Sequence, residues 1–227
     1  MFTLVPIVLA VLYGLAMYHF SVWRTRKSLA AQSTPLRNPD LQKALMPLAA
    51  ALDLPAIKVR VYHIAAINGL ATTDGEIYIT DGFIERYRRG EISANEIASV
   101  IAHELGHVAL GHTRRRMIDF SGQNAMRTAL ALILGRIIPG VGVYVAGILS
   151  NLLAAGMSRV DEFEADAYAT ALMVKAGLGA TPQKSMFRKL DMLTGQRHAT
   201  PAWFMSHPKT EDRIKAIEAN EVKWGIA

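Results

Sequence analysis

The stretch Ser93–His112, S-A-N-E-I-A-S-V-I-A-H-E-L-G-H-V-A-L-G-H, constrains the fold of this chain more than any other. Ser93 with Glu96 three residues on is a capping box, which satisfies orphan N–H groups at a helix start. Ile97, Val100, Ile101, Leu105 and Val108 then recur at three- and four-residue steps and give the helix one apolar face. His103 and His107 stand one turn apart on it, so both imidazoles can aim at one point.

Zinc accepts imidazole nitrogen at ~2 Å, and two histidines on a rigid helix are half of a ligand set. Glu104 follows the first histidine, so its carboxylate lies beside the metal and can take a proton from a zinc-activated water. The competing reading is an amphipathic core helix that happens to carry two histidines; a metal site needs a third protein ligand. Ser158–Ala169, S-R-V-D-E-F-E-A-D-A-Y-A, offers one. Glu162 and Asp166 are four apart in an Ala-rich helical stretch and share a face. A glutamate ligand with an aspartate one turn later has a physical logic, because the aspartate can accept the free ring N–H of a zinc histidine. By itself the run also reads as a solvated acidic helix face.

These motifs carry a resemblance. H-E-L-G-H followed by V-A-L-G-H, then S-R-x-x-E-F-E-A-D, then S-H-P-K-T-E-D-R-I resembles the M48 family of zinc metallopeptidases over roughly Leu41 to Ala219. The resemblance implies a mainly helical α+β zincin domain, gluzincin-like, with a small sheet. It implies one Zn2+ held by His103, His107 and Glu162, with Glu104 as base and Asp166 behind a ligand. The family pattern E-x-x-A-D selects Glu162 over Glu164. Asn68, Gly69, Leu70 and Ala71 are similar to the family's N-A-F-A element, with Gly-Leu in place of Ala-Phe, and by that likeness bind substrate along an edge strand. His207 and Arg213, as H-P-x-x-x-x-R, look like the element that brings a histidine and an arginine near the zinc. His207 then either stabilises the oxyanion or occupies the fourth zinc position. Without the resemblance it is a loop histidine before a helix.

Phe2 to Trp23 carries no charge and one histidine, His19. As a helix it spans ~33 Å, enough for a bilayer core, and Trp23 with Arg24, Arg26 and Lys27 makes an interfacial stop. A signal peptide would place its positive charge ahead of the apolar run rather than after it. The expectation is one uncleaved transmembrane anchor over residues 1–27, a linker at 28–39, and a peptidase domain at 40–227. The positive-inside rule then sets that domain in the cytosol, on a bacterial-type inner membrane.

Ile137–Ser158 is a second uncharged run. One crossing there would divide His103 and His107 from Glu162 across the bilayer. Two crossings would bury Asp119, Arg127 or Arg136, at ~2.5 kcal/mol or more each. The expectation is a helical hairpin that covers the core or dips into lipid. Leu41, Leu45, Leu48 and Leu52 give a helix with Pro47 inside it. Val59 and Val61, with His63, line one side of a strand. Asp74-Gly75 turns a hairpin between Asn68–Thr73 and Glu76–Thr80. His112, nine residues beyond His103 and about 180° round a continuous helix, reads as helix-end polar decoration. Ile214 and Ile217 face inward from a last helix, Thr210–Ala219.

The net charge is +6 with a pI near 9.6, but the basic residues are scattered and form no nucleic-acid module. No cysteine is present, which excludes disulfides and thiolate ligands. The partners expected are protein or peptide substrates and membrane lipid, not nucleic acid; oligomeric state is not legible. The function expected is a zinc endopeptidase acting on membrane-associated or misfolded proteins. Two other classes share the motifs: a chaperone-like binding protein that keeps a zinc site, and a zinc hydrolase of non-peptide substrates.

Overall fold

The computed structural model describes residues 4–115, 142–195 and 210–226. Its first helix, α1, spans Leu4–Ala31. Strand β1, Ser33–Pro35, follows within the stretch read as a linker and pairs antiparallel with β2, Val59–Tyr62. Asn38 caps the helix between them: its side chain accepts from Leu41 N at 3.0 Å and Pro39 takes the first helical turn of α2, Pro39–Ala51. Leu41, Leu45 and Leu48 are buried along one face of α2, and Pro47 sits inside it.

The sheet has the order β1-β2-β4-β3, with β3 at Gly69–Ala71 and β4 at Ile77–Thr80. The Asp74-Gly75 hairpin joins the last two antiparallel, with Gly75 at φ 85°. Val59 and Val61 point to the core as their alternation requires, whereas His63 is exposed and lies 3.1 Å from Asp81. β3 is an edge strand; β4 is buried at every position. Helix α3, Asp81–Arg88, leaves the sheet directly from β4.

Helix α4, Ala94–Ala109, carries the H-E-x-x-H motif. Both capping-box bonds form: Ser93 N donates to Glu96 Oε2 at 2.6 Å and Glu96 N donates to Ser93 Oγ at 3.2 Å. The amphipathic expectation is corrected here, because every residue from Glu96 to His107 is buried. The side chains between the apolar positions explain why: Ala98, Ser99, Ala102 and Gly106 are small enough for elements to close on α4 from several sides. The sheet and α2 pack against it, as do α5, Gly142–Lys175, and α6, Thr181–Gly195. The last helix, α7, spans Thr210–Trp224 and packs on α5 and α6. Ile217 is buried and Ile214 partly so.

α5 is one unbroken helix from Gly142, so the stretch with Glu162 and Asp166 is the later half of a longer helix. The hairpin expected over Ile137–Ser158 does not turn within 142–158, which are continuous helix; 137–141, with Pro139 and Gly140, lie outside the described residues. Among the described residues no helix is long and apolar enough to cross a membrane. The apolar run of the N-terminus begins at Phe2, ahead of them.

Candidate active site

Two helices make the centre of the site, and a glycine sets how closely they meet. A Cβ on Gly106 of α4 would lie 3.0 Å from the backbone oxygen of Ala165 and 3.1 Å from its Cα, on α5. With hydrogen there instead, backbone touches backbone, and Glu162 is carried up against the two histidines. His103 Nε2 and His107 Nε2 are 3.1 Å apart; each lies 3.3 Å from an oxygen of Glu162. All three side chains are buried. Donors around a tetrahedral zinc at ~2.0–2.1 Å stand about 3.3–3.4 Å from one another. The donor types suit zinc, and the pairwise distances, with a different Glu162 oxygen nearest each histidine, lie close to that spacing.

The electrostatics of the pocket agree with a cation. Burial opposes a charged His103, but hydrogen bonds to the carboxylates of Asp166 and Glu162 outweigh it and push its pKa up to about 9. The far side of the His103 ring is held from behind: Nδ1 lies 2.9 Å from Asp166 Oδ1. Arg213 reaches in from α7, fully buried, and donates to both oxygens of Asp166 at 2.6 Å. Its guanidinium stacks on the Phe187 ring at 4.2 Å. Burial raises the Asp166 carboxyl, yet Arg213 and His103 together hold it below the ordinary range. Arg213 Nη2 also lies 3.3 Å from His103 Nδ1. That nitrogen cannot accept from Arg213 while donating to Asp166. With Nε2 turned to the ligand cluster, Nδ1 keeps the proton and Asp166 receives both partners.

His112 is the residue that sequence reasoning missed. Helix α4 ends before it, and Gly111 takes φ 71°, a left-handed turn open to glycine. The continuous-helix geometry that placed His112 on the far side no longer applies. The ring is fully buried, with Nδ1 3.0 Å from His107 Nδ1 and Nε2 3.0 Å from Glu164 Oε2. The signal was present in V-A-L-G-H: a glycine after the last apolar position of a helix is a stop.

Glu104, buried on α4, sits beside the edge strand. Its Oε1 lies 3.2 Å from where a Cβ on Gly69 would be. Leu70 and Ala71 continue β3, which pairs through Leu70↔Tyr78 and Ala71↔Ile77. Asn68 is fixed by its backbone N donating to Thr80 Oγ1 at 3.0 Å, and its buried Oδ1 has no hydrogen-bond partner among the described residues. The structure thus brings Glu104, the edge strand and the ligand cluster to one place. His207 lies outside the described residues.

Comparison with known proteins decides the family. The profile described as peptidase family M48 matches residues 35–221. The chain belongs to peptidase family M48. It is a metalloprotease. It is 30% identical over 185 residues to metalloprotease LoiP of Escherichia coli, covering 79% of this chain and 70% of that one. Metalloprotease YcaL of the same organism is 30% identical over 161 residues, covering 71% of this chain and 61% of the relative. Protease HtpX of Pseudomonas paraeruginosa is 29% identical over 200 residues, covering 72% and 66%.

Proposed function

We propose that this M48 protein is a zinc-dependent endopeptidase anchored in the inner membrane, cutting unfolded or damaged proteins at the membrane surface. The observation that carries it is the cluster of His103 Nε2, His107 Nε2 and the Glu162 carboxylate, the two nitrogens 3.1 Å apart and each 3.3 Å from a different carboxylate oxygen. These three residues would hold the Zn2+. The ion, when bound, supplies Lewis acidity to the scissile carbonyl and to the attacking water. Glu104 takes the proton from that water and passes it to the leaving amine, which its position one residue beyond His103 allows. Asp166 fixes the His103 tautomer, and Arg213 fixes Asp166.

Substrate enters as an added strand on β3. Residues Asn68–Ala71 present an edge, and main-chain pairing there is indifferent to substrate sequence, which suits a protease of many unfolded clients. It also aligns the substrate backbone beside Glu104. His207 enters only through the likeness of H-P-x-x-x-x-R, which His207 and Arg213 complete, to the family's element near the zinc. There it either steadies the oxyanion or closes the fourth ligand position.

The anchor is α1. Leu12, Tyr13, Leu15, Met17, Phe20 and Trp23 are all exposed, and at 100° per residue they cover more than half the helix circumference. No single protein face would cover such a band; lipid would. At its base Arg26 pairs with Asp74 at 2.7 Å, tying the anchor to the turn of the β3–β4 hairpin. That tether keeps the substrate edge near the bilayer, with Arg24, Arg26 and Lys27 on the cytosolic side.

The test compares purified wild type with Glu104→Gln, scoring bound zinc and cleavage of casein together. Zinc in both and cleavage in wild type alone is the expected result. Zinc in both and cleavage in neither would favour a binding role over proteolysis. Loss of zinc from wild type would remove the mechanism.

A further inference from the structure

We propose that His112 and Glu164 form a proton-ordered relay that positions the metal ligand His107; the proposal rests on the metal centre described above. The two zinc histidines are supported differently. His103 meets a carboxylate directly, with Nδ1 2.9 Å from Asp166. His107 meets none. Its Nδ1 faces another imidazole nitrogen, His112 Nδ1, at 3.0 Å. His112 is 0% exposed, and its second nitrogen lies 3.0 Å from Glu164 Oε2 at the protein surface.

A metal on His107 Nε2 leaves one arrangement of protons. With Nε2 given to the metal, the ring proton sits on Nδ1 and donates to His112. His112 Nδ1 must then be the bare acceptor, so its own proton sits on Nε2. That proton points at the Glu164 carboxylate, which accepts it. Each link has one donor and one acceptor. The chain is Glu164, His112, His107, metal, and the carboxylate raises the basicity of a ligand two rings away. A metal-free pair of histidines has no such requirement; either ring can donate to the other.

The sequence explains how the relay is reached. Glu162, Glu164 and Asp166 alternate along α5, so Glu162 and Asp166 face His103 while Glu164 turns toward the end of α4. The left-handed Gly111, φ 71°, swings His112 back over His107. Asp161, also near His112, is engaged by Arg115, which opposes a second cation between Asp161, Glu164 and His112.

The experiment measures zinc affinity of the full chain by competition with a chromogenic chelator, with the cobalt(II) absorption spectrum and the melting temperature of the metal-free protein alongside. His112→Leu is expected to weaken zinc about 10–100-fold, the usual loss when a histidine ligand is deprived of its outer partner. It should also alter the cobalt spectrum. His112→Asn, whose side-chain oxygen can accept the His107 proton, should recover part of the affinity. Glu164→Ala should weaken zinc in the same direction and less, with no change in metal-free melting because the side chain is half exposed. In a His112→Asn background, Glu164→Ala should then cost nothing further. If His112→Leu fails to fold, the Glu164 pair of measurements carries the test. Unchanged zinc affinity and cobalt spectrum in His112→Leu or Glu164→Ala, beside a His107→Ala that no longer binds, would overturn the relay and leave the metal centre standing. Two zinc ions per wild-type chain, the second lost in Glu164→Ala, would overturn it as well. No zinc in wild type would overturn both.

Discussion

Arg213 and Asp166 meet through two hydrogen bonds of 2.6 Å in a place neither shares with water. The first belongs to α7 and the second to α5, so this pair joins the C-terminal part of the chain to the proposed metal centre. A buried pair of this kind contributes little net stability, but removing one partner strands the other. Arg213→Met should therefore destabilise the protein by about 3–5 kcal/mol. The double variant Arg213→Met with Asp166→Asn should recover much of that loss, because no charge is left behind. Denaturant unfolding of the four proteins in the cycle checks this, and additive losses would count against the pair as described.

Arg213→Lys distinguishes charge from geometry. Lysine keeps the positive charge but cannot present two parallel N–H groups or stack on Phe187 as a plane. We expect His103 to lose its fixed orientation and zinc to bind about 10-fold or more weakly. A lysine variant with wild-type zinc affinity would show that charge alone suffices.

Gly106→Ala tests the contact between α4 and α5. The new methyl carbon would sit 3.0 Å from the Ala165 oxygen, a backbone atom that cannot rotate away. The helices must part, at about 1–3 kcal/mol for overpacking. Glu162 then retreats from the histidines and zinc affinity falls with stability. If stability falls while zinc affinity does not, the glycine matters for packing and not for assembling the ligands.

Much of the candidate site was legible because its spacing is local. His103 and His107 need only one helix, and the capping box that fixes where that helix starts is written in four consecutive residues. Glu162 and Asp166 were legible for the same reason. Three things were not. Strand β1 is short and pairs at long range with Tyr62, Val61 and Arg60, so no periodicity announces it. The burial of α4 on all sides depends on which elements close over Ala98 and Ala102, which is tertiary information. His112 was misplaced because its angle was counted along a helix that Gly111 ends. The capping residue Glu96 was read as purely local, whereas it also receives Ser185 Oγ at 2.6 Å and Lys189 Nζ at 2.8 Å from α6.

That last contact gives a pH dependence. Burial raises the Glu96 carboxyl, but bonds from Lys189, Ser185 and the Ser93 backbone outweigh it and hold the pKa below 4.5. In the unfolded chain the group returns to the ordinary value. Between the two values the unfolded state binds a proton that the folded state does not, so stability declines as pH falls. The contribution is complete above about pH 4.5 and is lost as pH drops through the folded pKa. Glu96→Gln keeps most hydrogen-bonding atoms but not the charge, at about 1.5–3 kcal/mol at neutral pH. Its stability should then vary less with pH below 4.5 than wild type does. Parallel curves for the two proteins between pH 3 and 5 would remove Glu96 as the source.

The proposed anchor predicts where the enzyme would work. Arg26 and Asp74 are 2.7 Å apart with their side chains partly exposed, so this ion pair adds at most about 1 kcal/mol and its role is placement rather than stability. If α1 holds the β3–β4 hairpin at the bilayer surface, a cleavable segment tethered to a vesicle should be cut faster than the same segment free in solution. The ratio should fall when residues 1–23 are deleted, while cleavage of the free segment stays within about two-fold. The reason is effective concentration: two partners confined to one surface meet at far higher local concentration than in bulk. Asp74→Lys should reduce the ratio less than deletion does, since it frees the hairpin from the anchor without freeing the protein from the membrane. A ratio of one for the full chain on vesicles that demonstrably bind it would mean that α1 anchors the protein without directing its substrate edge to the membrane.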